Sequence, residues 1–301
     1  MSFITGAGST NVDLLFSNMP KLPQLGEEVF SEHFDVKLGG GIPATLINLT
    51  RLGIKTKLIT QLGNDMFSFF AKAEFEKAGA KYVNVAKSDN IPLTVTSAVI
   101  LPQDRTFFSY SGYDEPDDIM KETFYNVSKG AKIALMQTDG YFDVYKKLKE
   151  EGTVLVLDTG WDDGMSLEKF SDYLEIADYY TPNRKEAQKI TDKATPEETA
   201  QALSRFFDKV IVKLDKDGCL GLENGKVFTV PGIDSFRHVD STGAGDAFLA
   251  GFCYGLFYGY SFYDCILFGN ITGGKAVTEI GALSAYLTEK ELLETANKKA
   301  L

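Results

Sequence analysis

The residues best placed to do chemistry lie in one segment, Asp240-Ser241-Thr242-Gly243-Ala244-Gly245-Asp246-Ala247-Phe248. From Ala247 to Tyr258 the chain is nearly all apolar or small and holds no proline, which predicts a buried helix starting near Gly243. Ser241 and Thr242 are its candidate caps. A helix start exposes unpaired N–H groups and the positive end of the peptide dipoles, and Gly243 and Gly245 let a ligand approach that backbone closely. The product is an anion hole with Asp246 in its first turn. Such a layout suits phosphoryl transfer: the N–H groups hold the phosphoryl group while the carboxylate takes the proton of an attacking hydroxyl. A Walker loop is excluded, because no Gly-Lys-Ser/Thr follows the spacer. The competing reading is that Asp246 only complements the helix dipole.

The elements that must position this turn alternate along the chain. Strand-like runs occur at Phe3–Thr5, Lys57–Thr60, Ile133–Met136, Val154–Leu157 and Val210–Val212, with helical patterns at Pro43–Leu52, Met66–Ala78, Phe142–Glu150, Leu167–Ala177 and Glu197–Phe207. This order predicts an α/β fold with a parallel sheet covered on both faces. Two stretches depart from it, Val12–Leu38 and Pro92–Tyr113. Both are strand-like, and the second carries an expected turn at Pro102-Gln103-Asp104.

Gly6-Ala7-Gly8-Ser9-Thr10-Asn11 imitates a dinucleotide fingerprint, but the third glycine is missing. The following Val12–Phe16, then Pro20 and Pro23, do not read as a pyrophosphate-binding helix. Thr181-Pro182-Asn183-Arg184-Lys185-Glu186 reads as a capping box, Asn183 at the N-cap and Glu186 three residues on.

With 301 residues, 44% hydrophobic and 24% charged, the chain has the composition of an ordinary globular protein. A net charge of −11 and a pI near 4.8 argue against nucleic acid and anionic membranes as partners. Cys219, Cys253 and Cys265 lack metal-ligand spacing and there are two histidines, His33 and His238, so zinc is not expected and the thiols read as reduced core residues. Phe3 onward enters an apolar strand with no basic region or cleavage-like stretch before it, so a cytoplasmic protein is expected. The apolar stretch Ala247 to Phe268 is interrupted by Asp264 and rich in glycine and tyrosine, which favours a buried helical pair over a membrane span.

Three segments together carry a family resemblance. Asp240–Phe248 followed by Ala250-Gly251-Phe252 closely resembles the C-terminal signature of the ribokinase-like, or PfkB, carbohydrate kinases. Gly39-Gly40-Gly41, Arg51-Leu52-Gly53 and Gly63-Asn64-Asp65 fall in the order and spacing of the family's first signature, and Asn183-x-x-Glu186 is similar to a third element. The resemblance spans nearly the whole chain. It implies one kinase domain over residues 1–301, a three-layer parallel-sheet ribokinase-like α/β fold with a small β-sheet lid formed by 12–38 and 92–113. It further implies an ATP- and Mg²⁺-dependent kinase that phosphorylates a sugar hydroxyl. Exposed lid strands invite edge pairing, so a homodimer through the lids is expected.

Residue by residue, the resemblance makes Asp246 the base and the backbone of Gly243, Ala244 and Gly245 the anion hole. Asp13 would accept hydrogen bonds from sugar hydroxyls, with the backbone of Gly40 and Gly41 and the side chain of Arg105 as further substrate contacts. Ala44 stands where the family pattern carries asparagine, a loss that Asn48, one turn on, is expected to offset. Gly41 occupies a position that is lysine in some relatives, which favours an unphosphorylated sugar or sugar acid, fructose- or ribose-like. Asn183 and Glu186 are expected near the phosphates, Glu186 holding Mg²⁺ through water. Lys213 and Asp215 replace threonine and glycine of the family's nucleotide segment, which also includes Gly218; Lys213 reads equally as a phosphate partner or a solvated strand-end lysine. Asn270, Gly274 and Val277 resemble the adenine-side wall. Asp240 and Ser241 resemble part of a monovalent-cation loop, a site for K⁺. The alternatives are a nucleoside kinase, with a base near Phe107, Phe108 or Tyr110, and a non-catalytic sugar or nucleotide sensor.

Overall fold

The computed structural model describes residues 2–87, 90–101 and 104–299. Its strands in chain order are β1 (Ile4–Ala7), β2 (Asn11–Ser17), β3 (His33–Leu38), β4 (Thr56–Thr60), β5 (Tyr82–Asn84), β6 (Thr94–Ile100), β7 (Arg105–Ser111), β8 (Ile133–Met136), β9 (Val154–Leu157), β10 (Tyr179–Tyr180), β11 (Lys209–Lys213), β12 (Cys219–Glu223) and β13 (Lys226–Val230). The helices are α1 (Ile42–Arg51), α2 (Met66–Ala78), α3 (Asp118–Ser128), α4 (Phe142–Glu150), α5 (Ser171–Ile176), α6 (Arg184–Thr191), α7 (Pro196–Leu203), α8 (Ala244–Tyr258), α9 (Phe262–Ala276) and α10 (Glu289–Lys299).

Six strands pair in parallel in the order β10-β9-β8-β1-β4-β5. Their apolar runs are what a sheet covered on both faces requires. Successive side chains divide between two cores: Ile133 and Leu135 pack with Leu46, Phe252 and Ile266, whereas Ala134 and Met136 pack with Phe124, Tyr145 and Leu174. The result is three layers, helix on sheet on helix. Cys219, Cys253 and Cys265 are buried, unbridged members of this interior. The segment 247–268 forms the α8–α9 pair, and no described helix is long and apolar enough to cross a membrane.

The expected strand at Val210–Val212 exists but lies outside the parallel sheet. Its neighbours are β12 and β13, in an antiparallel sheet of three strands. The reason is local: Leu214 N–H bonds to Gly218 O at 2.7 Å, and Gly218, at φ 90°, reverses the chain where a parallel crossover would need a dozen residues. One parallel bridge, Asn183 to Lys213, joins this hairpin to the main sheet. The helices expected at Leu167–Ala177 and Glu197–Phe207 are shorter, at α5 and α7. Leu167 N–H instead bonds to Ile190 O, and Phe206 N–H closes back on Leu203 O in a tighter turn. Helices α3 and α10 were not foreseen.

A second, four-stranded sheet, β3-β2-β6-β7, is built from residues of both strand-like stretches. Pro102 and Gln103 of the expected turn lie outside the described residues. The register sorts its side chains into two faces. Asp13 pairs with Lys37 and Thr96, and Thr96 with Ser109, so Asn11, Asp13, Lys37, Thr96, Arg105, Phe107 and Ser109 share one polar face. Leu14, Phe16, Phe34, Val99, Phe108 and Tyr110 share the other. Of the three aromatic residues considered for a nucleobase, Phe107 alone is on the polar face.

Candidate active site

The helix α8 begins as expected at Gly243, but no side chain caps it. Gly243 itself is the N-cap at φ 75°; the Thr242 hydroxyl donates to Asp240 Oδ1 and the Ser241 hydroxyl pairs with His238 Nε2. The first turn therefore has no side-chain acceptor of its own for its N–H groups. Ala244 N–H reaches Ser241 O across 3.3 Å, and the first helical bond is Ala247 N–H to Gly243 O at 2.9 Å.

Asp246 projects from this turn onto the Gly39–Gly41 loop. Its Oδ1 accepts the Gly41 N–H at 2.9 Å, and its Oδ2 lies 2.5 Å from where a Cβ on residue 40 would stand. The Gly41 amide thus serves the carboxylate, a correction to the expectation that it faces substrate. Gly41, at φ 88°, also opens α1. Burial pushes the Asp246 carboxyl up to about 7, helped by the charge of Asp158 and opposed by the Gly41 N–H and Lys213.

Asp13 stands on the polar face of the small sheet, 6% exposed, its Oδ1 accepting from Asn11 Nδ2 at 2.9 Å. Burial raises it to about 6 against the Asn11 bond, with a further push from the charge of Asp240. Asn11 is a site residue the sequence reading missed; the spacing Asn11-x-Asp13 on a strand was the signal that both share a face. Asn48 is not brought here. It lines a small void with Ala247, Thr272 and Tyr286, and its Oδ1 faces Arg51 Nη1, so it does not replace the amide lost at Ala44.

On the far side of α8 opens a cavity of about 880 Å³. Asn183, Lys213, Asp215, Gly218, Asn270, Gly274 and Val277 all line it, together with Gly245 and Phe248 of α8. Asn270 spends its amide on the wall: Nδ2 donates to Val230 O and Pro231 O, both at 3.0 Å, and Oδ1 accepts the Cys219 thiol. Lys213 is no solvated strand end. Its side chain is 14% exposed, with Nζ 3.9 Å from Asp158 Oδ2, above the Phe248 ring and beside the Cα of Gly245. Asp158 is the second residue missed; it follows β9 at the carboxyl edge of the sheet, where open α/β sheets gather their ligands.

Asn183 and Glu186 form the predicted capping box, Asn183 N–H donating to Glu186 Oε2 at 2.8 Å and Glu186 N–H to Asn183 Oδ1 at 3.0 Å. Burial raises the Glu186 carboxyl, with Lys213 opposing and Asp158 adding to the rise. Glu186 and Asp158 act on each other with Lys213 as the cation beside them, and such a carboxylate pair suits Mg²⁺ brought in with a nucleotide, since that ion takes one or two carboxylates and fills its shell with water and phosphate. Among the described residues no three acidic, His or Cys side chains form a metal cage by themselves.

The donor set around Asp240 does not suit a monovalent cation. Oδ1 already accepts Arg105 Nη1 at 2.7 Å, the Thr242 hydroxyl at 2.9 Å and the Thr242 N–H at 3.1 Å, while Oδ2 accepts the Gly281 N–H at 3.0 Å. Ser241 is committed to His238. Arg105, expected at the substrate, instead directs Nη1 to the Asp240 turn.

This architecture is found in solved structures. The ribokinase of Arabidopsis thaliana, in complex with ribose and ATP, superposes with a TM-score of 0.83 at 24% identity, over 98% of this chain and 99% of that one. The nucleoside kinase of Methanocaldococcus jannaschii gives 0.81 at 19% identity, over 99% of each chain. The fold is therefore ribokinase-like. In sequence, the chain is 25% identical to the ribokinase of Haemophilus influenzae over 97% of both, and 25% identical to the 5-dehydro-2-deoxygluconokinase of Clostridium perfringens over 82% of this chain and 80% of the relative. Residues 7–289 match the model of the pfkB family carbohydrate kinases, and the chain belongs to that family.

Proposed function

We propose that the chain transfers the γ-phosphoryl group of ATP to a hydroxyl of an unphosphorylated sugar or sugar acid, with Asp246 as the base. The observation that carries this reading is the Asp246 carboxylate, pinned by Gly41 N–H at the mouth of the anion turn with its proton affinity raised to about 7. A base of that affinity accepts a hydroxyl proton efficiently near neutral pH. The N–H groups of Gly243, Ala244 and Gly245 would meet the charge on the transferring group, and Lys213 the phosphates. Glu186 and Asp158 would hold Mg²⁺ through water; the ion, when bound, offsets phosphate charge.

Asp13, oriented by Asn11, would accept hydroxyl hydrogen bonds from the sugar. The small sheet from 12–38 and 92–113 would act as a lid whose polar face excludes water from the acceptor. Its apolar outer face, where Phe34, Phe108 and Tyr110 are 54%, 65% and 52% exposed, supports a homodimer through the lids.

The test is ADP release from Mg·ATP with ribose, fructose, 2-keto-3-deoxygluconate, 5-dehydro-2-deoxygluconate and nucleosides, the Asp246→Asn variant alongside. Turnover of one sugar that is lost in the variant supports the reading. Turnover of a nucleoside alone replaces the acceptor, and tight binding without turnover makes the chain a sensor.

A further inference from the structure

We infer that the Arg105 guanidinium is the fixed cation of the anion-binding turn, so that this chain works without the K⁺ that the Asp240–Ser241 loop would otherwise call for. The inference rests on the kinase reading only in its activity arm.

Three observations converge. First, Arg105 Nη1 lies 2.7 Å from both Asp240 Oδ1 and Thr242 Oγ1, so one nitrogen bridges the carboxylate and the hydroxyl that open the turn. Second, Asp240 is 11% exposed and Arg105 34%, which shields the pair from solvent and keeps their attraction from being largely screened. Third, Oδ1 already accepts three donors, more than a carboxylate oxygen has lone pairs to offer, leaving poor provision for a metal ion there.

The electrostatics require some cation at this position. The charge of Asp240 acts on Asp13, and those of Asp158 and Asp13 act on Asp246, while Lys213 Nζ lies 3.9 Å from Asp158. An uncompensated Asp240 would oppose the anion that the α8 N–H groups attract. Monovalent ions answer that need at a cost in immobilisation and only at sufficient concentration; an arginine carried on β7 is always present. Because one nitrogen meets both acceptors, a lysine ammonium with its three donors could carry the same charge at this position. Phe107 supports Arg105, the guanidinium carbon lying 5.5 Å from the ring centroid. Arg105 is thus a positioning residue: it acts on phosphate through the turn it holds.

The experiment compares wild type, Arg105→Gln and Arg105→Lys in K⁺, Na⁺ and tetramethylammonium chloride at equal ionic strength. Thermal unfolding is followed with and without Mg·ATP, and ADP release is measured with whichever acceptor wild type uses. Wild type is expected to show the same Tm and kcat, within twofold, in all three salts. Arg105→Gln is expected to lose at least tenfold in kcat in tetramethylammonium and to recover in K⁺, with a K⁺-specific rise in Tm; Arg105→Lys keeps the indifference to salt. A wild-type protein stabilised or activated specifically by K⁺ overturns the inference, as does an Arg105→Gln variant of unchanged kcat or one that K⁺ does not rescue. If Arg105→Gln does not fold, the wild-type salt comparison still decides. If no acceptor is turned over, the kinase reading fails while the Tm comparison stands.

Discussion

Gly40 and Asp246, 206 positions apart in sequence, meet so closely that a methyl group on residue 40 would sit 2.5 Å from Asp246 Oδ2. Residue 41 donates its N–H to the other carboxylate oxygen at 2.9 Å. The loop and the carboxylate are therefore shaped to each other, and what disturbs one disturbs the other.

Replacing Asp246 by Asn keeps the shape and removes the base. The expected loss in kcat is about 10²–10⁴-fold, the usual worth of a positioned general base, with Kd for Mg·ATP unchanged. Steady-state kinetics and calorimetric titration of ATP check this; turnover within twofold of wild type refutes the role.

Gly40→Ala leaves every ionisable group in place but displaces the carboxylate. A misplacement near 1 Å costs on the order of 10²-fold in rate. We expect kcat to fall by about that factor while Tm falls only modestly. Unaltered kcat would mean that the contact has no catalytic consequence.

Because the acceptor of the proton must be ionised, kcat/KM should rise with pH and level off above about 7. Lys213 lowers the proton affinity of Asp246 and Asp158 raises it. The acid limb should accordingly move to higher pH in Lys213→Met and to lower pH in Asp158→Asn. Shifts of the opposite sign in the rate profiles would assign the limb to another group.

Asp13→Ala removes the acceptor of sugar hydroxyls and strands the Asn11 amide that donates to it. The KM for the sugar should rise far more than the KM for ATP. A selective rise in the ATP value would move Asp13 to the nucleotide side.

Asp139 tests a different kind of role, that of a buried carboxylate bonded to Tyr141 and Tyr145. Its Oδ1 accepts the Tyr141 N–H and its Oδ2 the Tyr145 hydroxyl, both at 3.0 Å, and burial chiefly drives its carboxyl up to about 7. An unfolded aspartate titrates near ~3.9. Between those values the folded state binds more protons than the unfolded, so the stability this group contributes is complete below about 4 and is lost as pH rises to about 7. Melting curves of Asp139→Asn should show a flatter decline in Tm from pH 5 to 8 than wild type. An identical slope would show that Asp139 is not the group responsible.

What the sequence determined by itself is local. The α8 start at Gly243, the Asn183–Glu186 capping box and the buried runs of β8 and β9 each follow from a few neighbouring residues, because turn chemistry, capping and hydrophobic period act within one or two turns of chain. Asp246 could be singled out on those grounds and through its resemblance to a kinase signature. Its partner could not, nor could the ion pair between Arg105 and Asp240, 135 positions apart, or the approach of Lys213 to Asp158. Those pairs exist because separate layers pack against each other, bringing the small sheet over the α8 turn and the β11–β13 hairpin against the parallel sheet. Which charge faces which donor is decided by that packing, and the same packing strips away the water that would otherwise leave Asp13 and Asp246 as ordinary carboxylates.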